Sequence, residues 1–154
     1  MSDYFQADLQ SEFVAVTNPR IDSQQLDTED LSTAKLASTI AEAGLDRKAG
    51  DLLVLRVRDV SYLADYFVMM TGYSNVQVRA IANSIEQEVE EKCERKPLRS
   101  EGKAEASWVL LDYGEVIVHV MMPSEREFYD LEAFWGHAER IDFQASGKGG
   151  GEPT

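Results

Sequence analysis

The chain is poor in the residues that most covalent and metal chemistry requires. Cys93 is its one cysteine, which excludes an internal disulfide and a cysteine-cluster zinc site. A single thiol also fits a reducing, cytoplasmic setting. His119 and His137 are its two histidines; they follow no metal-ligand spacing, so neither a metal nor a cofactor is expected. No GxSxG or phosphate-loop pattern is present. No apolar run approaches the roughly 18 residues of a membrane span, and the opening MSDYFQADLQ lacks the basic start and apolar stretch of a secretory signal. Clusters of Lys and Arg that could grip a phosphate backbone are missing too, so direct sequence-specific binding to nucleic acid is not expected.

Acid is what the chain has in excess. The net charge of -13 divides into -6 from residues 1–30, -7 from residues 31–143 and zero from the remaining tail. The core segment is therefore acidic in its own right, and a basic protein surface is its natural electrostatic match. Acidity also serves solubility alone.

Residues 1–30 combine sparse hydrophobics with the polar run DSQQLDTED and read as a disordered leader. Residues 144–154, with SGKGGGEPT, read as a flexible Gly-rich tail. One domain, residues 31–143, lies between them. A first helix is expected from Ser32 to Ala43, stopped by Gly44. LLVLRV (52–57) and YFVMMT (66–71) have strand composition. A long helix follows from Asn75 to Arg95, with Ser74 and Gln77 forming a capping box and Val78, Ile81, Ala82, Ile85 and Val89 making its apolar stripe. Cys93 falls near that stripe as a small buried hydrophobe. A last helix is expected from Ser124, capped with Glu127, turning Phe128, Leu131 and Trp135 inward and ending at Gly136. The order describes an α/β domain with helices packed on one face of a mixed sheet.

Between the two later helices, SWVLLD and EVIVHVMM flank Tyr113-Gly114, a tight hairpin signal. A turn at those two residues pairs Asp112 with Glu115, Leu110 with Ile117 and Trp108 with His119. Alternation then divides the hairpin. One face carries Val109, Leu111, Val116, Val118 and Val120 and must pack on the helices. The other carries Trp108, Leu110, Asp112, Glu115, Ile117, His119 and Met121, too apolar for plain solvent and too polar for a core. Aromatic and methionine anchors with an acidic rim suit a protein-binding surface. The same face could instead be covered by the leader, the last helix or a second copy. Asp112 and Glu115, directly opposed, would repel slightly, and basic groups on a partner would relieve this.

One segment invites a catalytic reading. TGYSNVQVRAI sets Gly72 and Ser74 between a strand and a helix N-terminus, where nucleotidyltransferases hold phosphate. Those enzymes need paired carboxylates on the next strand, and WVLLD offers Asp112 alone.

Residues 46–138, with SYLADYFVMMTGYSNVQVRAIANSI, Glu101-Gly102 and ASWVLLDYGEVIVHVMMPSEREFYDLEAFW, resemble the ribosomal silencing factors, or Iojap-like proteins. The resemblance implies a nucleotidyltransferase-like topology without the catalytic carboxylates. It also implies a non-enzymatic translational repressor that binds the fourteenth protein of the large ribosomal subunit at the intersubunit face and sterically blocks subunit joining. Trp108, Leu110, Asp112 and His119 match the family's binding surface. Homodimers and roles in large-subunit assembly also occur in the family. A relic nucleotidyltransferase, binding nucleotide near Gly72 and Ser74, is the remaining alternative.

Overall fold

Alternating aliphatic residues and helical apolar stripes build six strands and four helices among the described residues, 28–59 and 64–141, of the computed structural model. In chain order these are α1 (Thr28–Asp46), β1 (Gly50–Arg56), β2 (Tyr66–Thr71), α2 (Asn75–Cys93), β3 (Arg99–Glu101), β4 (Trp108–Asp112), β5 (Val116–Met121), α3 (Pro123–Tyr129), α4 (Leu131–Phe134) and β6 (Glu139–Ile141). The strands form one mixed sheet in the order β3-β4-β5-β2-β1-β6. Only β2 and β5 pair in parallel, with α2 in the crossover between them; the other neighbours are antiparallel.

The aliphatic face predicted for the hairpin is the core face. Val109, Leu111, Val116, Val118 and Val120 are fully buried with Tyr66, Val68 and Met70 of β2, under Leu36 and Ile40 of α1 and Ile81, Ile85 and Val89 of α2. Each such side chain contributes roughly 1.5–3 kcal/mol by leaving water. α2 begins where its cap was expected: the Gln77 N–H donates to Ser74 Oγ at 3.0 Å. It ends at Cys93, with Glu94 in a left-handed conformation. α1 runs past Gly44, which is a site of close approach and not a stop; a β-carbon there would lie 2.1 Å from Met70 Sδ. The first three residues of α1 fall inside the expected leader, whose residues 1–27 lie outside the described residues, as does the 144–154 tail.

Three further expectations are corrected. The hairpin register is Trp108 with Met121, Leu110 with His119 and Asp112 with Ile117. Tyr113 donates its N–H to the Val116 carbonyl at 2.9 Å, so the turn residues are Gly114 and Glu115. Gly114 has φ +95°, a conformation favouring glycine at the first turn position, while Tyr113 is fully buried. Moving the turn by one residue moves the pairing by two, so the division into faces survives.

Secondly, the last helix is two short ones. Pro123, with its fixed φ and no N–H to satisfy, starts α3 one residue before Ser124, and no side chain caps it. Asp130, left-handed at φ 48°, separates α3 from α4, a conformation that Asp tolerates better than most residues. The break leaves Phe128 exposed. Thirdly, helices lie on both faces. Arg126 and Tyr129 of α3 reach Thr71 and Trp108 on the face opposite α1 and α2, and Trp135 and Ala138, which follow α4, pack there against the cluster of Leu55, Val57, Ala64 and Phe67. The edge strands β3 and β6, three residues each, had no sequence signal, and their shortness and charge discourage edge pairing.

The turn assignment is testable. Gly114→Ala should cost about 1–2 kcal/mol of folding stability from backbone strain, measured by urea unfolding; a neutral substitution would contradict a positive φ at that residue.

Candidate hairpin-face binding site

The second face of the hairpin continues across the sheet. β2 adds Phe67 beside Ile117, Met69 beside His119 and Thr71 beside Met121. Met121 and His119 are buried at 1% and 7% exposure, whereas Trp108, Leu110, Asp112 and Ile117 are half-buried. The structure thus keeps these predicted residues, all but Glu115 in the turn, on one face and separates those that touch solvent from those beneath.

Trp108 is fixed from two directions. The loop leading into β4 is strapped to α2: Asn75 Nδ2 donates to the Glu105 carbonyl at 2.9 Å, and Arg79 donates to the Lys103 and Ala104 carbonyls at 3.1 and 2.8 Å. From below, the indole N–H of Trp108 donates to His119 Nδ1 at 3.1 Å. That bond requires an imidazole with a free Nδ1 lone pair, so the proton sits on Nε2. Burial disfavours the charged form and pushes the His119 pKa down to about 4. His119 is therefore neutral at physiological pH.

Rings extend this pair both ways. His119 meets Phe67 edge-on at 5.7 Å, and Phe67 meets Trp135 at 5.2 Å. Trp108 packs on Tyr129 at 4.8 Å, and Tyr129 on Phe128 at 4.9 Å. Sequence alternation alone could not supply Phe67, because its alignment with His119 depends on the parallel β2–β5 register. Tyr129 was hidden by the unbroken helix expected at 124–136.

The two acids at the turn end differ from expectation. Asp112 faces Ile117 across the strands, not Glu115. Its Oδ1 accepts the Gly114 N–H at 2.8 Å, and Oδ2 lies 3.4 Å from the exposed Arg99. Glu115, in the turn, is clasped by both terminal nitrogens of Arg95 at 2.7 and 2.9 Å. Burial alone would raise the Glu115 pKa, but the Arg95 hydrogen bonds and charge hold it below the usual carboxylate range. Glu115 is a turn brace, and Asp112 is the acid on the open face.

At the strand end of β2, backbone donors of the Gly72–Gln77 turn are bonded within the chain, the Gly72 N–H to the Met121 carbonyl at 3.0 Å. Gln77 takes the Tyr73 N–H at 2.8 Å, and Ser74 takes the Gln77 N–H. Among the described residues no group of three or more His, Cys, Asp or Glu side chains could hold a metal ion. His137 is exposed beyond α4, and no described helix is long and apolar enough to cross a membrane.

Residues 30–152 match the family described as "Ribosomal silencing factor during starvation". The chain belongs to that family. It is 40% identical over 111 residues to the ribosomal silencing factor of Bacillus subtilis, covering 72% of this chain and 91% of that one. It is 37% identical over 114 residues to the chloroplastic Iojap protein of Zea mays, covering 74% of this chain and about half (49%) of that longer protein. A solved structure from Chromobacterium violaceum superposes with a TM-score of 0.65 at 36% identity, covering 73% of this chain and 94% of that one.

The depressed His119 pKa has a signed consequence. The unfolded chain takes up a proton near pH 6.5 and the folded chain only near 4, so this contribution to stability is complete above 6.5 and is lost as pH falls towards 4. Between pH 6.5 and 5, wild type should lose roughly 1–2 kcal/mol more unfolding free energy than His119→Gln. Equal losses in urea titrations at the two pH values would contradict a buried neutral imidazole.

Proposed function

We propose that the chain is a non-enzymatic translational repressor, acting in the cytoplasm on the large ribosomal subunit. Its β4–β5 face docks on a basic ribosomal protein at the intersubunit surface, the fourteenth of that subunit, and the bound factor sterically prevents the small subunit from joining. The observation that carries this reading is Trp108: a half-buried indole on an open face, held by the His119 hydrogen bond among Leu110, Ile117 and Asp112. An anchor held in its bound orientation loses little conformational freedom on docking. Membership of the silencing-factor family supports the ribosome as target, and the net charge of -13 favours a basic partner.

In this reading Trp108, Leu110, Ile117 and Asp112 make contact, while His119 and Met121 support them from beneath and Glu115 braces the turn. The fold is taken as a nucleotidyltransferase relative that has kept the scaffold without the metal chemistry. Asp112 is the sole carboxylate on β4, where a pair would be needed to hold magnesium. Occupying the joining surface requires no covalent step.

Trp108→Ala should weaken co-sedimentation with purified large subunits by about 30-fold, corresponding to ~2 kcal/mol for a buried aromatic anchor. Equal pelleting of mutant and wild type would sink the hairpin as the docking face. Asp112→Lys should chiefly slow association and flatten its salt dependence, read by stopped-flow mixing at two ionic strengths. Gradient fractions holding the factor only on immature particles would favour large-subunit assembly instead.

A further inference from the structure

We infer that the docking surface continues from the hairpin onto α3, where Phe128 is a second anchor for an apolar depression on the same basic partner. This rests on the docking role proposed above and extends it to an element outside the hairpin.

α3 contributes no buried residue to the fold, yet it carries two large rings. Phe128 is 78% exposed, the highest value among the described large hydrophobics, and Tyr129 is 49% exposed. A lone surface aromatic would need no explanation, but these two are not isolated. Phe128 stands edge-on to Tyr129 at 84°, and Tyr129 lies against Trp108. The three rings make one contiguous strip leading away from the proposed anchor.

The strip is also held in place. Arg126, on the same helix, donates to Thr71 Oγ1 of β2 at 2.9 Å and to Glu132 of α4 at 3.0 Å. Pro123 at the start and left-handed Asp130 at the end fix where the helix begins and stops. Phe128 is thus presented by a short helix pinned to the sheet.

Charge selects the occupant. The segment 123–134 carries Glu125, Glu127, Asp130 and Glu132 against Arg126 alone. A cavity of about 590 Å³ beside α3 is lined by Asp51, Glu127, Asp130 and Glu132, with Arg126 and Arg140 opposing them. The excess of carboxylates on the segment that carries these rings suits a partner whose apolar depression is accompanied by Lys and Arg. A second copy of a chain with net charge -13 would bring like charge to the same place, and an RNA backbone or anionic membrane would be repelled.

The test uses the full chain. Phe128→Ser should weaken binding to purified large subunits at least tenfold, while the urea midpoint and the sedimentation of the protein alone stay at wild-type values. Glu127→Lys, on the exposed surface of the same helix, should weaken binding in the same assay. Wild-type affinity in both variants would overturn the inference, leaving the hairpin reading intact if Trp108→Ala has lost binding. Loss in Phe128→Ser with binding retained in Trp108→Ala would leave α3 and remove the hairpin. A changed oligomeric state in Phe128→Ser would assign the ring to a second copy and overturn the proposal. Absence of binding by wild type would overturn both readings.

Discussion

An indole that donates to a buried, neutral imidazole organises the outer face of this molecule. The bond holds Trp108 at one angle above the sheet, and the same imidazole is packed edge-on by Phe67. Protonating His119 would remove the lone pair that the indole requires and put a charge where water cannot reach it. The orientation of Trp108 therefore depends on a buried group beneath it. His119 lies opposite Leu110 on β5, with β2 paired in parallel alongside, and the rings of Phe67 and Trp108 pack against it. Fold and site meet at one residue.

The two faces of the sheet divide the work. Valine, leucine and isoleucine on the inner face pack against two 19-residue helices. The outer face mixes rings, aliphatics and carboxylates, and it is closed at one end only. Where α4 covers it, Trp135 completes a second small core with Phe67 and Leu55. Where it remains open, Trp108, Leu110 and Ile117 stay half-buried. An apolar surface left partly uncovered by its own chain, in a molecule of strong negative charge, is suited to a partner that brings both apolar area and positive charge.

Much of this was legible in the residues. Strict alternation in WVLLD and VIVHVM identified both hairpin faces, and the helical stripe from Val78 to Val89 identified the helix that covers the inner one. The Ser74–Gln77 cap set the start of that helix correctly. Elsewhere local chemistry misled or was silent. Tyr113-Gly114 looked like the turn because glycine so often closes one, but Tyr113 has a large ring to bury and glycine's positive φ serves the first turn position. The face assignment survived only because the slip was an even number of residues. Phe128, Leu131 and Trp135 have the spacing of one helix, and nothing local marked Asp130 as the break. β3 and β6 are too short and charged to show a pattern. Phe67 joins the site through a parallel pairing that no local rule encodes. The Arg95–Glu115 clasp likewise links residues twenty apart, and it removed from the open face an acid that alternation had placed there.

The central claim is that occupying this face of the large subunit is enough to stop ribosomes forming. The most direct measurement mixes purified large and small subunits with increasing amounts of the protein and resolves the products on a density gradient. The account predicts that the joined peak falls as factor accumulates on large subunits, with no nucleotide consumed. Large subunits saturated with the factor that still join the small subunit in full would contradict it.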